Sequence, residues 1–265
     1  MKNLGIITDL YAAPLFQSLK EKPETMNLIT DSELHISKLL LEEELDAAFL
    51  SPITFARDHD IYSIVPDVCI ASEGNSNVVC LYFKERLKEV KTIATDLLNV
   101  SEMVLAKLVL TEKYSTTPTF IPTKANIDEM LLKADAALIV GDYNLELLEH
   151  KNKLDLVDEW SDLTELPYIH GLWISEKEKL SKEEINILKE SAEYGSAHLS
   201  EIASHYPPRN TEEVVEFLSA FSYKLNEKAK NGLTEFIRMA YYHEIIEDLP
   251  DLNAESDTTL DLAKN

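Results

Sequence analysis

Apolar and polar positions alternate along the chain in a rhythm that repeats once and then changes. Over the first third, short apolar runs at Leu4–Ile7, Met26–Ile29 and Ala47–Leu50 are separated by longer stretches with helical spacing. Runs of this length read as buried strands. Pro14 falls in the opening turn of the first helical stretch, Ala12–Lys20, where proline is tolerated because that N–H has no intrahelical partner. Asp31 or Ser32 caps the second, whose apolar positions are Leu34, Leu39, Leu41 and Leu45. Ser51-Pro52 closes the third run. This strand-helix-strand-helix-strand order predicts a parallel sheet with ligand groups at the carboxyl ends of its strands.

Two more strands follow, Val68–Ser72 and Asn77–Phe83, about the turn Glu73-Gly74-Asn75-Ser76. After the charged link Lys84–Glu89 the first rhythm returns: strand Lys91–Thr95, helix Asn99–Lys113, strand Thr119–Ile121, helix Ile127–Leu132, strand Ala136–Val140. A second such unit predicts a second lobe. Asp155–Val157 and Glu159–Thr164 then lead through Pro167 into the apolar strand Tyr168–Ser175. The remainder reads as helices over Lys182–His205, Thr211–Lys230 and Leu233–Ile246, with a polar, frayed Asp251–Asn265. The expected fold is α/β and two-lobed, with a discontinuous first lobe (1–85 plus 168–265), an inserted second lobe (86–167), two hinge crossings and a C-terminal helical block. The cleft between the lobes is the natural ligand site.

Charge narrows the partners. The chain has 265 residues, 48 of them acidic against 25 basic, a formal net charge of −23. Such a surface repels nucleic-acid phosphates and anionic headgroups, so neither nucleic acid nor membrane is expected as a partner. No apolar run has the length of a membrane span, and no secretory signal opens the chain, so the expected location is cytoplasmic. Cys69 and Cys80 each sit inside an apolar run and read as inert core thiols. No Cys/His cluster, phosphate loop, dinucleotide fingerprint, GxSxG or HExxH occurs, so no metal or other cofactor is expected.

Several segments resemble the chorismate dehydratase family. They are Asp135-Ala136-Ala137-Leu138-Ile139-Val140-Gly141-Asp142; Leu154 to Trp160 with Leu166-Pro167-Tyr168 and Trp173; Asp46 to Pro52; Ile70 to Gly74; and Gly232-Leu233 with Phe236. They fall in order from the first strand to about Ala240. The resemblance implies a periplasmic-binding-protein-like fold of the two-crossing kind, used inside the cell as a hydro-lyase. It implies removal of water from chorismate, a small dicarboxylate, to give a carboxyvinyloxy-substituted benzoate in the futalosine route to menaquinone. The chain also departs from the family. Tyr11 stands where members carry asparagine, and Leu98 and Glu102 replace hydroxyl residues. Those departures favour a non-catalytic small-anion binding protein of the same fold. A third alternative is the related enzyme acting on cyclic dehypoxanthinyl futalosine.

A site for such a molecule needs anion donors from both lobes. The helix start at Asn99, with Ser101, offers backbone N–H groups and a hydroxyl, although Asn99 and Glu102 also read as an ordinary capping pair. Ser51, Thr54 and Ser72 fall at strand ends on the same crevice, where turn chemistry is the competing role. Asp142 either orients a ligand hydroxyl or caps a helix over Asn144–His150. Tyr11 offers a phenol from the first loop. His170 interrupts an apolar strand; it is a core imidazole or the proton-transfer group. Under the resemblance the substrate's own carboxylate serves as base. Asp67, Glu73, Glu42-Glu43-Glu44 and Asp158-Glu159 read as solvated faces.

Overall fold

The computed structural model describes residues 1–21, 24–96, 100–124, 126–206 and 209–252. Two sheets organise them. In the first, β1 (Lys2–Ile6) lies between β2 (Met26–Thr30) and β3 (Ala47–Leu50), all parallel. The crossings are made by α1 (Ala13–Lys20) and α2 (Glu33–Leu41), the latter capped by the Ser32 hydroxyl, which accepts from His35 N–H. The sheet continues antiparallel through β10 (Tyr168–Glu176), β4 (Tyr62–Ser72) and β11 (Phe221–Lys224), giving the order β11-β4-β10-β3-β1-β2.

The second sheet repeats the plan. β6 (Thr92–Thr95) lies between β7 (Thr119–Pro122) and β8 (Ala136–Val140), linked by α4 (Val100–Tyr114) and α5 (Ile127–Lys133). β5 (Val79–Phe83) and β9 (Lys153–Asp155) complete the order β7-β6-β8-β5-β9. The first crossing between sheets therefore falls at 73–78, before β5, and not near residue 85. The reason is local. Gly74 takes φ +68°, which lets the chain turn away at once, whereas nothing in the apolar run Val79–Phe83 says which sheet it joins. The return passes through Pro167, after α6 (Leu156–Thr164).

The C-terminal block departs from three long helices. Thr211–Lys230 is broken into α9 (Thr211–Ser219), strand β11 and the start of α10 (Glu227–Tyr242). Phe221 and Tyr223 are buried while Ser222 and Lys224 are exposed, a two-residue period that fits a strand. Asn226 then caps α10, accepting from Ala229 N–H. Lys182–His205 divides at His198 into α7 (Lys182–Ala197) and α8 (Leu199–Ser204). Asp155–Val157 is not a strand: Asp155 ends β9 and its carboxylate accepts from Val157 and Asp158 N–H, starting α6 instead. The frayed segment expected over Asp251–Asn265 lies, beyond residue 252, outside the described residues.

The cores are aromatic. Phe16, Phe49 and Trp173 meet edge to face at 5.7–5.8 Å in the first lobe. Trp160, Phe236 and Tyr168 do the same where the lobes join. Cys69 and Cys80 are buried free thiols whose pKa is pushed up by burial, as inert core residues require. α1 packs on α7 through Gly195, where an added Cβ would collide with the Pro14 carbonyl. Gly195→Ala is therefore expected to cost about 1–3 kcal/mol, as overpacking does, read as a lowered urea midpoint with unchanged slope.

Candidate functional site

Each parallel unit sends the loops after its strands toward one crevice, so the residues just past β1, β2, β3, β6 and β8 converge between the sheets. The cleft they enclose measures about 450 Å³. From β1 it takes Ile7, Thr8, Asp9 and Tyr11; from β2, Thr30 to Glu33; from β3, Phe49 to Ser51. The second sheet adds Asp96, Glu102 and Val140, and β10 adds His170.

Five of these lining residues are carboxylic acids: Asp9, Asp31, Glu33, Asp96 and Glu102. No Lys or Arg lines the cleft among the described residues. Crowding shows in the protonation of the buried members. Glu102, 5 % exposed, has its pKa pushed up to about 8, by burial first and then by Glu33 and Asp9. Asp9 is raised to about 6, by burial first and then by Asp142. Asp31, at the rim, is lowered, chiefly by the His35 ring at 2.7 Å. Glu33 Oε1 accepts from Ser51 N–H and from the Thr54 hydroxyl, each at 3.0 Å.

The expected site residues divide. Tyr11, Ser51 and His170 line the cleft. Thr54 stands directly behind, its hydroxyl 3.2 Å from that of Ser51 and bonded to Glu33. Ser72 is not in the cleft. Its hydroxyl lies 2.7 Å from His170 Nε2. Ser101 is fully buried and accepts from Ile53 N–H at 3.1 Å. It thereby caps α3 (Pro52–Arg57) across the lobe boundary, because Ser51, at that helix's N-cap, turns its hydroxyl to Thr54 instead. Asn99 lies outside the described residues, and with it the pairing with Glu102.

Asp142 neither caps a helix over Asn144–His150 nor lines the cleft. Residues Asp142–Glu146 form a short 3₁₀ turn, and both Asp142 oxygens accept from Leu10 N–H at 3.0 Å. Asp142 is a latch between the two sheets. Its pKa is raised by burial, against the lowering influence of Leu10 N–H and Arg209.

His170 owes its place to a bulge: the β10–β4 register shifts between Ile169 and Gly171. A bulge re-aims one side chain out of the alternation. The ring packs against Tyr11, Tyr168 and Phe221, and burial lowers its pKa to about 3. It is neutral at pH 7, so it is not a cation for a carboxylate. Nε2 is taken by Ser72 and Nδ1 has no partner.

Asp9, Asp31, Glu33 and Asp96 were not expected among the lining residues, and Glu102 was expected as a capping partner at a position where the family carries a hydroxyl. The signal was present: Asp9, Asp31 and Asp96 each follow a parallel strand within three residues, and carboxyl ends of such strands face the crevice.

Two outcomes follow from these protonation states. Glu102 binds a proton in the folded chain that it loses near pH 4.5 when unfolded, so the folded state is penalised as pH rises from about 4.5 to 8. Glu102→Gln should therefore raise the melting temperature at pH 8 and leave it nearly unchanged at pH 4. His170 has the opposite sign. Unfolding lets it take up a proton below pH 6.5, so stability is lost as pH falls toward 3; in a ¹H–¹⁵N imidazole spectrum its signals should not titrate between pH 5 and 8.

Comparison with known proteins agrees with this architecture. The profile of a family described as menaquinone biosynthesis matches residues 2–242. Among solved structures, protein AF1704 from Archaeoglobus fulgidus superposes with a TM-score of 0.71 at 17 % identity, covering 92 % of this chain and 98 % of its own. A Candida albicans gene product with the generic periplasmic binding protein fold gives 0.68 at 12 % identity, over 94 % and 91 %. The periplasmic aliphatic sulphonate binding protein of Escherichia coli gives 0.62 at 12 %, over 96 % of each chain. At these identities the structures establish the fold, which is periplasmic-binding-protein-like. The profile, spanning nearly every described element, establishes the relationship: the chain belongs to the menaquinone biosynthesis family, that of the chorismate dehydratases.

Proposed function

We propose that this chain works in the cytoplasm by holding a small polar molecule in the cleft between its sheets, and that this molecule is not a dicarboxylate such as chorismate. The observation that carries this is the lining: five carboxylic acids and, among the described residues, no Lys or Arg. A ligand carboxylate about 4 Å from one ionised side chain meets a repulsion of about 4 kcal/mol at an effective dielectric constant near 20. A hydrogen bond to a charged group returns only about 1.5–3 kcal/mol. The neutral hydroxyls lining the cleft are Thr8, Tyr11, Thr30, Ser32 and Ser51; Ser32 and Ser51 already pair with Asp31 and Thr54, and one such donor does not offset one such repulsion. That the Escherichia coli relative in fold is a sulphonate binding protein is therefore no guide to the charge of this ligand.

The alternative is a hydro-lyase that dehydrates chorismate, and one observation favours it. Expelling hydroxide calls for a proton donor, and Glu102 is a carboxylic acid that stays protonated at pH 7 beside the cleft. Family membership supports the same reaction. One assay separates the two. Purified protein is incubated with chorismate, following substrate and carboxyvinyloxy-benzoate by liquid chromatography, while binding is measured calorimetrically. We expect neither turnover nor binding with a dissociation constant below millimolar. Product formation that Glu102→Gln slows by about a hundredfold would establish the hydro-lyase and remove the first reading.

A further inference from the structure

The cleft's lining points past a merely neutral ligand. We propose that it is an ammonium-binding site: Glu33 and Glu102, with Asp9, receive a positively charged nitrogen carried by a small aliphatic ligand, and the Tyr11 ring packs beside it. This rests on the cleft being the ligand site and adds the charge class of the occupant.

Three independent features converge. The first is the acids, contributed by four separate elements of both sheets: the loops after β1, β2 and β6, and the first turn of α4. Gathering them costs stability in the empty protein, because like charges and burial both oppose ionisation. A ligand cation reverses that sign. The second is aromatic: Tyr11 lines the same space, and an aromatic ring attracts an ammonium group by about 0.5–2 kcal/mol. The third is His170, 4 % exposed, which lines the cleft with Nδ1 unpartnered. Being uncharged, it adds polarity without repelling a cation. A cleft of about 450 Å³ is within the range of small-molecule sites.

The charged and titratable surroundings all bear on the pH dependence. Glu102 faces Glu33, Asp9 and Asp96. Asp9 faces Asp142 and Glu33. Asp31 is paired with His35, and Asp142 feels Arg209. His170 stays neutral, and the Tyr11 phenol is held protonated by burial and by the same acids. Asp9, titrating near 6, and Glu102, titrating near 8, both gain negative charge between pH 5.5 and 8.5. Both become better cation partners as pH rises.

The test is calorimetry at low salt with three probes: putrescine as an aliphatic diammonium, ribitol as a neutral polyol and chorismate as a dianion. Putrescine keeps both charges below about pH 9, since alkyl amines titrate near 10, so any change with pH belongs to the protein. The expected result is putrescine binding at least tenfold tighter than either other probe, tightening at least threefold from pH 6 to 8.5. E33Q/E102Q should weaken it at least tenfold with circular dichroism unchanged, whereas E42Q/E43Q/E44Q on the solvated face should not. Ribitol or chorismate binding in place of putrescine would overturn the inference while leaving the cleft as the site. Equal losses in the two multiple variants would reduce the effect to general surface charge and overturn it. Binding of none of the three would remove both the inference and the cleft reading.

Discussion

Where the loop after β1 meets the loop after β8, the molecule has almost no room. Gly141 sits at φ +82°, and any Cβ there would collide with Asp9 Oδ1, so only glycine lets the two loops approach. The next residue, Asp142, uses both oxygens on Leu10 N–H. This contact joins the carboxyl ends of the parallel strands of the two sheets and so fixes the width of the crevice. Its electrostatic consequence is direct. Asp9 and Asp142 are held near each other in partly buried surroundings, and both are harder to ionise than a free carboxyl. Every other acid of the cleft is brought in by the same convergence of strand ends.

Of the residues that mark the family, Phe49, Leu50, Ser51 and Val140 line the cleft, and the others lie elsewhere. Trp160 donates to the Pro167 carbonyl and meets Phe236 edge to face, and Gly232 leaves space for that same carbonyl. Trp173 is buried against Phe16 and Phe49. These contacts build the return crossing between sheets and the core beneath it. They are satisfied by shape and backbone hydrogen bonding, and none touches the ligand space except through Phe49. Such a frame is indifferent to what the cleft holds, which is why family membership and a changed ligand are physically compatible.

How much could be read in advance follows from the range of each interaction. The parallel units were legible because four- and five-residue apolar runs such as Ala47–Leu50 and Ala136–Val140 alternate with helices, a local pattern. The sheet joined by Val79–Phe83 was not, since its pairing with Val140–Ala136 is set by residues about sixty positions away. β11 was missed because Phe221 and Leu225 continue the helical spacing of Val214, Phe217 and Leu218, and the two-residue period shows only once Tyr223 is buried and Ser222 and Lys224 exposed. At the site, strand ends and an odd polar residue in an apolar run pointed to Tyr11, Ser51 and His170, and these were brought to the cleft. Ser72 and Ser101 were not, because a hydroxyl serves any nearby group: His170 took one and the N–H of Ile53 the other.

Glu102 brings these strands together. On the sequence it is an ordinary acid in the first turn of a helix, where it would stabilise the dipole at little cost. In the fold it is 5 % exposed and faces three other acids. A surface cap would leave it charged; this position keeps it protonated to about pH 8. The acids of the cleft therefore oppose one another, and whatever relieves that repulsion will also favour the arrangement that produced it, the two sheets held edge to edge. An anion would add to that repulsion and a neutral ligand would leave it. A cation lowers the pKa values of Asp9 and Glu102 as it binds, releasing protons and stabilising the joined sheets by the same free energy. Occupancy and lobe contact are thus one linked equilibrium, with Asp9 common to both.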